Sequence, residues 1–166
     1  MSPGLSAYNI ATQKEDYEVV ISLISDVTPA TGQIQAAFPW SEPPKTVGAL
    51  AAIYLQGAFS DKATRKSSAV QALIDRSLLI DRITENLRFP QWDIVQHSLI
   101  LLSLLVEAED KRNNYGKAFM AGGGLIMLHG LMRHEMEEVR MVASKILRNI
   151  YALKPAVMKE LRTSSR

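Results

Sequence analysis

Four kinds of residue in this 166-residue chain could serve chemistry, and each is weighed first against the spacing that chemistry needs. Gly122-Gly123-Gly124 offers free backbone amides, as phosphate cradles do. Such cradles use Gly-x-Gly-x-x-Gly or a run ending Gly-Lys-Ser/Thr, and they follow a strand. This run has neither pattern and no strand-like stretch before it, so it reads as a corner between helices. His134-Glu135-Met136-Glu137-Glu138 opens like a zinc-protease helix, which needs a second histidine four residues on. Position 138 is glutamate, His129 lies in the preceding segment and His97 is far away in sequence. The expectation is a solvated helix start whose acidic residues favour the helix dipole. No Gly-x-Ser-x-Gly elbow is present, and the carboxylate pairs Glu137/Glu138 and Glu107/Glu109 sit among charged turns. There is no cysteine, which removes disulfides, thiolate metal sites and cysteine nucleophiles. The sequence therefore predicts no catalytic residue, no cofactor and no metal, and a protein that is not an enzyme.

The totals fit one globular domain over 1–166. Hydrophobic residues make up 47% and charged residues 22%, which argues against whole-chain disorder. The net charge of +2 is too small to suggest nucleic acid by itself. It is unevenly spread: two basic against five acidic residues in 1–60 give −3, and seventeen against twelve in 61–166 give +5. The longest uncharged apolar run, Ile94–Val106, is short of the roughly 20 residues that span a bilayer. Met1-Ser2-Pro3-Gly4 shows no basic, then apolar, leader, so the expected location is the cytoplasm or nucleus.

Apolar residues recur at three and four throughout, and alternation at two is absent, so all the elements should be helices. Tyr17, Val20, Ile21, Ile24 and Val27 predict a helix over 14–26, and a weaker one covers 32–38. Phe38-Pro39-Trp40-Ser41-Glu42-Pro43-Pro44 is the clear loop, with Trp40 either tucked back onto the helices or standing out as an anchor. Pro43 and Pro44 suit the start of a helix running to Phe59. Ser60-Asp61 then looks like the cap of a helix through Ala69, Val70, Leu73 and Ile74, and further helices follow through Leu78–Leu87, 91–107, 113–121, Leu125–Met132 and Glu135–Leu153. Pro155 ends the last or opens a terminal one. The 91–107 helix is apolar nearly all round, the mark of the middle of a helical stack.

Self-similarity is visible. Val95-Gln96 and Val139-Arg140 stand 44 apart, and Leu79-Ile80 and Leu125-Ile126 stand 46 apart, within the range of two- and three-helix repeats. The stretch from Asn114 to Met132, then Glu137-Glu-Val-Arg-Met-Val-Ala-Ser-Lys-Ile-Leu-Arg-Asn-Ile150, resembles one armadillo repeat: short helix, glycine corner, helix with paired leucines, and a long helix opening Glu-Val-Arg. Residues 91–150 carry the resemblance well and 60–90 loosely. It implies a right-handed α-solenoid, an armadillo-like superhelix of three to four repeats, with 60–166 repeat-like and 1–59 a divergent N-terminal cap. One repeat cannot bury its own apolar face, so the ends need caps, a second copy or further chain.

The resemblance also implies where a partner binds. The third helix of each armadillo repeat lines the concave face, here Asp93–Glu107 and Glu135–Tyr151. Importin-type grooves carry Trp-x-x-x-Asn on that helix. Asn149 matches the asparagine, Lys145 stands in the tryptophan's place, and the preceding repeat has Leu101 and Leu105. The candidate protein-binding residues are a polar patch of Glu138, Lys145, Arg148 and Asn149 beside an apolar strip of Ile100, Leu101 and Leu104, with Trp40 as a second site. Arginine beside aliphatics suits a short acidic or amphipathic peptide. The expected function is an adaptor or scaffold holding another protein's peptide or helix, with neither nucleic acid nor a membrane span. Two alternatives stay open: an armadillo-type nucleotide-exchange factor for a chaperone, and a self-assembling protein that forms homo-oligomers through its repeat ends.

Overall fold

The computed structural model describes residues 3–30, 44–107 and 114–152. Among these residues the chain is all-α, with ten helices: α1 (Pro3–Gln13), α2 (Tyr17–Ser22), α3 (Val47–Ser60), α4 (Lys62–Lys66), α5 (Ser68–Arg76), α6 (Leu79–Asn86), α7 (Trp92–Leu105), α8 (Asn114–Ala121), α9 (Gly124–Leu131) and α10 (Glu137–Ala152). The expected weak helix at 32–38, the loop holding Trp40, the charged turn at 109–112 and any helix after Pro155 lie outside the described residues.

Where boundaries moved, backbone partners explain it. The expected 14–26 helix is only α2. Glu15 adopts a left-handed φ of 54° that separates it from α1, and the Asp16 side chain accepts from the Val19 amide at 3.3 Å as the N-cap. Val27 leaves the apolar stripe and is exposed. α1 itself has no strong periodic signal, since only Leu5 and Ala11 on it are buried. α3 begins at Val47 rather than at the prolines. The chain entering it is paired with residues 28–30: Lys45 O accepts from Ala30 N at 2.8 Å, and Val47 N donates to Thr28 O at 2.9 Å. Thr46 then caps α3, its hydroxyl accepting from Ala49 N at 3.2 Å. The expected single helix from a Ser60-Asp61 cap through Ala69, Val70, Leu73 and Ile74 is broken at Ser67, whose ψ of 132° divides α4 from α5.

The repeat is more regular than the sequence spacing suggested. The steps of 44 and 46 resolve into one structural period of 45. α6 and α9 start at 79 and 124, and α7 and α10 at 92 and 137. α3, starting at 47, lies one further step of 45 back. The residues before α6 and α9 match as well, Leu78 (φ 56°) and Gly123 (φ 85°), both left-handed. Gly123 adopts this freely, whereas Leu78 carries a steric cost of about 1–2 kcal/mol. The next corner glycine, Gly124, has no room for a side chain, because a Cβ there would fall on the Phe119 ring.

α7 packs on α3, α6 and α10, and so lies in the middle of a row of third helices, α3–α7–α10. One cluster of buried apolar residues runs from Ala11 to Ile150. Two polar nodes tie successive units together. Asn86, fully buried, donates to Ile24 O (2.9 Å) and Ser98 Oγ (3.0 Å) and accepts from Ser25 Oγ (2.5 Å). Asp93 Oδ2, in the first turn of α7, accepts from Lys45 N (2.9 Å), Thr46 N (3.0 Å) and Thr46 Oγ1 (2.9 Å).

Candidate functional site

The period of 45 decides which residues of α7 and α10 share a face. Ile100 corresponds to Lys145, Leu104 to Asn149 and Asp93 to Glu138. Ile100, Leu104 and Asn149 are half-buried, and Lys145 and Glu138 are exposed. These residues form a band across two neighbouring helices: aliphatic on α7, and on α10 a carboxylate, a cation and an amide in turn.

Leu101 does not belong to that band. It is fully buried, and its counterpart one period on is Ile146, also fully buried. The 44-residue step had paired Leu101 with Lys145, a slip of one residue. On a helix that slip rotates a side chain by about 100°, enough to move it from surface to core. Leu105, at 5% exposure, is likewise core and corresponds to Ile150. Arg148 is exposed and corresponds to Ser103, so it stands on the side of α10 that continues away from the band. Trp40 lies outside the described residues.

Glu107, at the end of α7, went unnoticed in the sequence as a site residue. Its carboxylate lies 3.9 Å from both Arg65 on α4 and Lys145 on α10. Arg65 also donates to Phe59 O at 2.9 Å, which holds it in place. Long contacts with half-exposed partners contribute little, typically 0–1 kcal/mol, so Lys145 is positioned by Glu107 without being committed to it. An open groove follows α10, lined by Glu137, Glu138, Met141, Ser144, Lys145 and Arg148, with Met141 61% exposed. Arg140 also lines it in the first turn beside Glu137 and Glu138, and Lys145 and Arg148 follow further along.

The histidine at the start of α10 is structural. The His134 ring stacks on Trp92 with centroids 4.3 Å apart and planes within 7°, and its Nδ1 accepts from Met136 N at 3.0 Å. Arg140 donates to the carbonyls of His134 (2.6 Å) and Glu135 (2.9 Å), which fixes the entry angle of α10. Among the described residues no three His, Asp or Glu side chains gather to hold a metal ion, and no helix is long and apolar enough to cross a membrane. The glycine run is a corner around Phe119, as the sequence implied.

No protein-family model and no curated protein matches the chain. Solved structures do. An armadillo-repeats-only protein from Plasmodium falciparum superposes with a TM-score of 0.80 at 22% identity, over 96% of this chain and 63% of that one. A designed armadillo repeat protein, described in complex with the peptide (KR)4, superposes with a TM-score of 0.58 at 13% identity, over 89% of this chain and 56% of that one. An engineered protein gives a TM-score of 0.57 at 17% identity, over 90% of this chain and 50% of that one. The chain thus spans less than two thirds of the length of these structures. Identities this low speak to architecture alone, and the architecture agrees with the repeat seen in the sequence: this chain has the all-α armadillo-like fold.

Proposed function

We propose that this chain is a non-catalytic protein-interaction module that holds a partner's peptide or helix along the third helices α7 and α10. Ile100 and Leu104 take the partner's apolar side chains. Lys145 meets a carboxylate, exchanging its long contact with Glu107 for one to the partner, and the Asn149 amide pairs with peptide backbone. Glu138 and Arg148 mark the acidic and basic ends of the α10 segment. The observation that carries the reading is the correspondence of Ile100 with Lys145 and Leu104 with Asn149 at equal steps on neighbouring helices. That is how repeat proteins build extended binding surfaces. The designed protein that bears a peptide gives a precedent for a peptide on this fold. Its peptide is basic, whereas Lys145 and Arg148 favour an acidic, amphipathic one.

The test is capture from matched cell extract by wild type and by K145E/N149A, both checked for helical content. A partner retained by wild type and lost by the folded variant supports the band. A partner kept equally by both moves the site elsewhere, with the loop around Trp40 next to be probed.

A further inference from the structure

α10 has α7 and α9 beside it, and no described helix follows it in the row. Comparing α7 with α10 one period on shows what its open side lacks. Gln96, 2% exposed, becomes Met141 at 61%. Leu99, also buried, becomes half-buried Ser144, and Ser103 becomes exposed Arg148. Among the described residues the same face is covered on the middle helix and uncovered at Met141, Ser144 and Arg148 on the last one.

The bare face has a seam of its own. Glu137, Met141, Ser144 and Arg148 follow one another at steps of four, three and four, the spacing by which one helix packs along another. Its charge runs from acidic Glu137 to basic Arg148, about 16 Å apart along the axis at 1.5 Å per residue. A helix charged in this way is complementary to its own antiparallel copy. With a two-fold axis between Met141 and Ser144, Met141 faces Ser144 of the second copy, and Glu137 faces Arg148 of the second copy. The small Ser144 side chain lets the bulky Met141 seat. Each contact occurs twice, as in any two-fold interface.

We propose that the open face of α10 is a self-association surface, where a second copy of this chain packs its α10 antiparallel through Glu137, Met141, Ser144 and Arg148. One helix pair forms an interface at the small end of the specific range, so the dimer is a weak one, with a Kd on the order of 10–100 μM. The surface shares Arg148 with the proposed peptide site, but self-association is read by mass rather than capture, so failure of one is told apart from failure of the other.

Sedimentation velocity of the full chain across roughly 5–500 μM tests it. The expected result is a rise from monomer towards dimer, stopping at two. R148E weakens association about tenfold or more, because reversal turns two attractions into two repulsions. E137R does the same, and E137R/R148E restores association to within about threefold of wild type. Circular dichroism shows whether each variant is folded, and M141E, at an exposed position, provides a second disruption. A wild type that stays monomeric throughout, assembly that continues beyond two, or a charge swap that fails to restore association would each overturn the proposal. Any of these would leave the face to another kind of partner.

Discussion

Asp93 is the sharpest place to test how the units are joined. Its carboxylate is 6% exposed, and one oxygen accepts three hydrogen bonds from the segment that leads into α3. Asp93→Ala removes the acceptor and leaves two amides and the Thr46 hydroxyl to find water at a mostly closed site. A hydrogen bond to a charged group contributes about 1.5–3 kcal/mol. Lys45 is exposed, so its amide rehydrates in part, and the acceptor also loses a favourable position in the first turn of α7. The sum is a loss of about 3 kcal/mol. In a chain of this length that lowers Tm by about 6–12 °C. Asp93→Asn keeps one oxygen acceptor without the charge and should lose about half as much. Thr46→Val removes the α3 cap and one of the three bonds, costing about 1–2 kcal/mol. Because the two side chains touch, the double variant should show a coupling of at least about 0.5 kcal/mol. Urea unfolding supplies the free energies, and amide exchange at Lys45 and Thr46 shows whether the loss is local. An Asp93→Ala loss below about 1 kcal/mol, or unchanged protection of both amides, would refute the idea that this carboxylate ties α7 to the chain before α3.

Other perturbations probe the corners and the middle helix. Leu78→Gly should raise stability by about 1 kcal/mol in thermal or urea unfolding, since the left-handed backbone is relieved and the lost side chain was 56% exposed. Gly48→Ala should destabilise by about 1–3 kcal/mol, because the new Cβ would lie 2.6 Å from the carbonyl oxygen of Ile24, a backbone atom with little freedom to move. Gln96→Leu should be neutral or stabilising by about 1 kcal/mol, since neither amide atom of this buried side chain finds a partner among the described residues. The Thr64 hydroxyl, donating at 2.7 Å, is the main cause holding the Asp61 carboxyl below its usual range. Thr64→Ala should therefore raise its titration midpoint, as read by NMR. A lowered folded value stabilises above the ordinary carboxylate range, and that contribution fades as pH falls through the folded midpoint.

Long periodic stripes made the repeat portion of the fold legible. The helices at 91–107, 113–121, Leu125–Met132 and Glu135–Leu153 appear as α7 to α10 within two residues at nearly every end, because apolar spacing and the glycine corner both mark them. α1 escaped because a helix with two buried residues writes almost no period into its sequence. The starts of α2 and α3 escaped because they are set by a left-handed Glu15 and by hydrogen bonds to residues 15 to 48 positions distant. At the proposed band the sequence spacing was one residue out of register. Two imperfect matches gave 44 and 46, and the one-residue error placed Leu101 on the surface when it is core. Glu107 was seen as a solvated charge because only the fold brings Arg65, 42 residues away, and Lys145 to either side of it.

Whether the band across α7 and α10 binds peptide is most directly measured by selecting 12-residue peptides from a random library on the purified chain and titrating the selected sequences by calorimetry. The structure leads us to expect acidic, amphipathic sequences whose affinity falls at least about tenfold with K145E/N149A, a loss of about 1.4 kcal/mol, with amide shifts centred on Ile100, Leu104 and Lys145. Enrichment of basic peptides, or binding unchanged in that variant, would contradict it.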